Sequence, residues 1–129
     1  MSTPLLPRVA IIGAGPSGFY AAEALQKAHP GIAIDLYRVE QGVRQLLGRH
    51  VSNADGRVDA PLLEGDALVA GVYELDFGIG EYFSMRGTAL PEPRFLDVVT
   101  LRFGISDASA HYHVPLLASP WSYSTYRGS

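Results

Sequence analysis

The sequence predicts a mainly β domain that opens with a single strand-turn-helix unit. Three observations carry this reading. Near the N-terminus a glycine-rich turn joins an apolar run to a stretch of helix-forming residues. Beyond residue 31 helical periodicity almost vanishes, and short alternating apolar runs separated by turn residues take over. The chain has 129 residues, enough for one ordinary domain and too few for two of full size.

Residues 8–12 (RVAII) are a continuous β-branched and apolar run, the mark of a strand covered on both faces, and the run stops at Gly13. Residues 17–28 (SGFYAAEALQKA) carry Phe19, Ala22 and Leu25 at helical spacing, and His29, Pro30 and Gly31 end the helix. In residues 32–39 (IAIDLYRV) apolar positions Ile32, Ile34 and Leu36 recur at the period of a strand. Residues 46–51 (LLGRHV) give another strand, running into a turn at Asn53, Ala54, Asp55 and Gly56. Residues 72–77 (VYELDF) and 96–103 (LDVVTLRF) alternate cleanly; between them lie one or two helical turns at 81–87 and a proline-bearing loop at 88–94. Two closing strands, 111–118 and 122–127, meet at a corner made by Ser119 and Pro120. No repeat and no Gly/Ser-rich linker divides the chain, so residues 1–129 are read as one compact unit: a βα fragment over 1–31 and a β sandwich over 32–129.

Composition narrows the partners. With 47% hydrophobic and 18% charged residues and a formal charge of -3, the chain lacks the field that attracts nucleic acid. The absence of cysteine excludes disulfides, thiolate metal sites and a Cys nucleophile. No apolar run reaches the roughly 18 residues needed to cross a bilayer, so no membrane partner is expected. The N-terminus has Gly and Pro inside its apolar stretch and no basic residue ahead of it, unlike a signal peptide, which makes the cytoplasm the simplest location.

Gly13, Gly15 and Gly18 satisfy the GxGxxG spacing after a strand and at the start of a helix, a Rossmann-like βα arrangement. Together with VAIIGAGPSGFYAAEAL they resemble the N-terminus of ferredoxin-NADP reductases of the adrenodoxin reductase type, where this loop holds the FAD pyrophosphate. A dinucleotide also needs an acidic side chain at the end of the second strand. Arg38 stands there instead, with Glu40 two residues farther on. The three glycines are therefore read as vestigial, serving only the turn, and no cofactor is expected.

From about residue 35 to 129 the chain resembles 5-hydroxyisourate hydrolase, the transthyretin-like enzyme of urate breakdown. The segments that carry the resemblance are DLYRV, SNADGRVDAPLLEG, GVYELDFGIGEYF, FLDVVTLRFGI and the closing HYHVPLLASPWSYSTYRGS. The resemblance implies a two-sheet sandwich of four strands each, a homodimer or homotetramer, and active sites between dimers. It also implies hydrolysis of a ring amide in an anionic purine derivative. On this pattern His113 is the general base, Arg57 binds the anionic substrate, and Ser129 with Tyr126, Arg127 and Gly128 completes the pocket. An imidazole suits the base because its unperturbed pKa lies near neutrality. Other readings of the residues stay open: His113 as a hydrogen-bonded structural residue, and Arg57 as a surface charge beside Asp55 and Asp59. As a metal pair, His111 and His113 lack a third ligand placed by sequence, and no metal is expected.

The chain departs from the family at its start. The family's first strand, with a His-Val-Leu-Asp sequence, supplies another active-site histidine, whereas no histidine here precedes His29. Hydrolysis is accordingly expected to be impaired. The alternatives are a non-catalytic chimera spliced near IDLYRV and, weakest, residual flavin or nucleotide binding through GAGPSG. Residues 8–12 are expected to fill the slot of the lost first strand.

Overall fold

A computed structural model describes residues 8–10 by their backbone, and residues 31–52, 58 and 61–127 in full. The glycine turn with Gly13, Gly15 and Gly18, the helix expected over 17–28, the turn at 53–56, Arg57, Gly128 and Ser129 all lie outside the described residues.

One layer is a four-stranded antiparallel sheet in the order β3-β2-β5-β6, made of β2 (Ala33–Glu40), β3 (Val43–Val51), β5 (Gly71–Gly78) and β6 (Val98–Ile105). The alternation seen in the sequence sets its two faces, because successive strand side chains point to opposite sides. On β5, Tyr73, Leu75 and Phe77 are at most 1% exposed and face the core, while Glu74 and Asp76 turn to the outer face. Val99, Leu101 and Ile105 do the same for β6. On the outer face Arg44 reaches over the Tyr37 ring, 3.6 Å from its centroid, to Glu74 (2.9 Å) and Asp76 (2.8 Å). Glu74 also accepts from Arg102 at 2.9 Å, and Thr100 donates to Asp76 at 2.7 Å. The polar ladder thus laces all four strands.

The strand expected at 46–51 begins at Val43. Gln41 (φ 50°) and Gly42 (φ 78°) form a two-residue hairpin turn whose positive φ values match strand twist, and the strand runs on directly through polar Arg44 and Gln45. Those polar residues break the apolar pattern without breaking the pairing.

Between β5 and β6, α1 (Ile79–Met85) buries Ile79, Gly80, Tyr82 and Phe83. Gly80 is required there: its N–H donates to Asp97 O at 2.8 Å, and a Cβ would fall 2.6 Å from Asp97 Oδ1.

The second layer comes in two pieces among the described residues, where the resemblance implied one four-stranded sheet. In one piece β1 (Arg8–Ala10) lies between β4 (Leu63–Glu64), antiparallel, and β7 (Tyr112–His113), parallel. Residues 8–10 therefore occupy the interior slot expected of the first strand. In the other, β8 (Leu116–Ala118) pairs with β9 (Tyr123–Thr125). The single strand expected over 111–118 is broken because Pro115 has no N–H to give a ladder. The corner after β8 matches expectation: Ser119 N donates to Ser122 O at 2.8 Å, and the Ser119 hydroxyl accepts from the Trp121 and Ser122 amides. Side chains from both layers, among them Leu36, Leu75, Leu101, Leu63, Tyr112 and Leu116, share one core.

Candidate functional site

His113 sits half-buried at the end of β7, and its Cα partner across the parallel ladder is Ala10 of β1. The Tyr126 ring stands edge-on to the His113 ring, with centroids 6.2 Å apart and planes at 83°. Two of the residues singled out from sequence, distant from each other along the chain, are thus brought together by the return of the C-terminal segment along β7.

Arg127 turns to the neighbouring residue. Its guanidinium lies 4.4 Å from the Tyr112 ring centroid and donates to His111 O at 3.3 Å. Tyr112 is buried, and its hydroxyl accepts the backbone N–H groups of Ser106 (3.2 Å) and Asp107 (3.1 Å). The Asp107 amide leads the interactions that pull the Tyr112 phenol below its ordinary pKa, since donors to an oxygen favour its anion. Asp107 in turn accepts from the Ser109 hydroxyl (2.6 Å) and amide (2.9 Å), which hold its carboxyl below the usual range. Tyr112 stands inside the HYH motif, but the sequence assigns it no role there. Its one signal is its place beside His113 in a strand, which puts the two side chains on opposite faces.

A cavity of about 380 Å³ opens between β6 and the C-terminal segment, with Arg102, Tyr112, Tyr123, Tyr126 and Arg127 among its walls. Arg102 is already engaged by Glu74. Among the described residues no group of three His, Cys, Asp or Glu side chains gathers to hold a metal. No helix among them is long and apolar enough to cross a membrane.

Comparison with known proteins adds a second line. The profile of the HIUase/Transthyretin family matches residues 23–128. A 5-hydroxyisourate hydrolase of Ralstonia nicotianae is 62% identical over 98 residues, covering 76% of this chain and 84% of that protein. Among solved structures, (S)-allantoin synthase superposes with a TM-score of 0.82 at 37% identity; it covers 96% of this chain, which spans only 44% of that protein's length. The 5-hydroxyisourate hydrolase of Klebsiella pneumoniae gives a TM-score of 0.69 at 26% identity, over 96% of this chain and 100% of the other. The family match starts at residue 23, ahead of residue 35 and inside the segment that the sequence pattern likens to a reductase.

Proposed function

The chain belongs to the HIUase/transthyretin family, and on that premise we propose that it hydrolyses 5-hydroxyisourate, opening the ring amide to a ureidoimidazoline carboxylate. The observation that carries the proposal is the seating of the Tyr126 ring against His113, which unites the family's HYH and YRGS signatures at one point.

The His113 imidazole takes a proton from water, and the hydroxide oxygen attacks the ring carbonyl carbon. The guanidinium of Arg57 holds the substrate anion and the oxyanion of the tetrahedral intermediate. When the ring C–N bond breaks, the leaving nitrogen receives the proton held by His113. Tyr126 limits rotation of the imidazole, and the family resemblance assigns Gly128 and Ser129 to the same pocket. Arg57, Gly128 and Ser129 enter through the family resemblance of their sequence positions.

Without a histidine ahead of His29, one imidazole carries proton transfer that two would share in the family. General acid-base groups contribute about 10²- to 10⁴-fold each, so turnover is reduced but present. Stopped-flow absorbance with freshly generated 5-hydroxyisourate tests this. Decay faster than the spontaneous reaction, lost in His113→Asn, is expected; decay at the spontaneous rate overturns the proposal.

Proteins of this family typically form homo-oligomers, and we propose that this chain is a cytoplasmic homodimer or homotetramer, with sites between dimers in the tetramer. The GAGPSG motif favours a second reading of the N-terminus, as a reductase-like fragment joined to a hydrolase. A yellow stoichiometric complex on titration with FAD is the result that would give that fragment a function.

A further inference from the structure

We propose that Arg127 is a positioning residue for His113, clamping the C-terminal segment onto β7 through Tyr112 rather than binding substrate. The inference rests on the reading of His113 as the base.

Backbone geometry creates the need for such a clamp. The β8–β9 ladder ends at the pair Leu116 and Thr125, and the next residue toward β7, Pro115, brings no N–H to extend it. Beyond Thr125 the chain lies along β7 without continuing the ladder. Side chains take over. Thr125 donates its hydroxyl to Pro115 O at 2.7 Å, Tyr126 meets His113, and Arg127 meets both Tyr112 and His111 O.

Tyr112 and His113 are neighbours on a strand, so their side chains leave opposite faces. Tyr126 and Arg127 consequently grip the strand from both sides at the position of the base. Tyr112 is a firm anchor because it is 6% exposed and its hydroxyl is held by two consecutive amides of the β6–β7 loop. A planar guanidinium laid on that ring, with one N–H on a backbone carbonyl two residues before His113, is oriented by the protein. A lysine ammonium is a point charge and cannot reproduce both contacts.

A stacked, exposed cation contributes little to stability but sets geometry, and small misplacements in a site are costly in rate. In the full-length Arg127→Gln variant, kcat with 5-hydroxyisourate should fall about tenfold while KM stays within about twofold and Tm within about 2 °C. Arg127→Lys should fail to restore kcat. The imidazole resonances of His113, assigned through His113→Asn, should shift their pH midpoint or broaden in Arg127→Gln. A rise in KM with kcat unchanged, corrected by Arg127→Lys, would make Arg127 a substrate-binding charge and overturn the proposal. Unchanged kinetics with unchanged His113 resonances would overturn it equally. If His113→Asn retains the native rate, the assignment of the base fails separately, and the His113 resonances alone then decide whether Arg127 holds the ring.

Discussion

Replacing Arg44 by Met removes the cation that ties the edge strand β3 to β5 across β2, while keeping an apolar stem over Tyr37. Two charge-assisted bonds are lost, at 2.9 Å to Glu74 and 2.8 Å to Asp76, along with the stacking on Tyr37. The Arg44 side chain is 38% exposed, so solvent screens both pairs, and about 0.5–1 kcal/mol each is the appropriate scale. The stacking adds roughly 0.5 kcal/mol. Glu74 and Asp76, on the same face of β5, are also left as closely placed like charges, although Arg102 and Thr100 still serve them. The sum is about 2 kcal/mol. A chain of this length has a melting entropy of about 0.27 kcal/mol/K, so Tm should drop by about 7 °C. Differential scanning calorimetry at fixed protein concentration measures the shift, since melting of an oligomer depends on concentration. Adding Asp76→Asn to Arg44→Met should return part of the loss by removing the carboxylate left without a cation, since Glu74 keeps Arg102 and an amide oxygen still accepts from Thr100. A drop below about 2 °C, or a double variant with the losses simply added, would show that the polar ladder does not couple these strands.

Two further outcomes follow from the geometry around His113. Ala10→His places an imidazole at the register partner of His113 in the parallel β1–β7 ladder, so kcat with 5-hydroxyisourate should rise about tenfold or more; a folded variant with unchanged kcat would remove β1 from the site. Asp107→Asn probes the loop hung from Tyr112. The native Asp107 carboxyl lies below its unfolded value of about 3.9, chiefly through the Ser109 hydroxyl, so its stabilisation is present above about pH 4 and lost as pH falls through the native pKa. Urea midpoints of native chain and variant should therefore differ at pH 6 and converge near pH 2, and a gap independent of pH would refute the linkage.

Much of the site's ancestry was legible in one dimension. HYHVPLL and YSTYRGS pointed to His113 and Tyr126, and the structure sets their rings against each other. The partnership of Tyr112 with Arg127 was not legible, because Tyr112 reads as an ordinary alternating apolar residue and Arg127 as the charge inside a terminal motif. Pro115 was visible, but its effect of ending the ladder and handing the C-terminal segment to side-chain contacts depends on which strand lies alongside it. The start of β3 was hidden for a different reason: Arg44 and Gln45 look like loop residues until the partners across the sheet are known.

By itself, the sequence determined what local periodicity can encode. It set which side chains of β5 and β6 face inward, the corner at Ser119, the short helix after β5, and the family to which the chain belongs. Only the tertiary structure decided strand order and register: Ala10 beside His113, Arg44 over Tyr37 to Glu74, and Arg127 on Tyr112. Period-two alternation specifies a face but not a neighbour. Apart from Arg44 and Tyr37, which share one hairpin, those contacts join segments separated in the chain, and they exist only once the strands that carry them have been brought side by side.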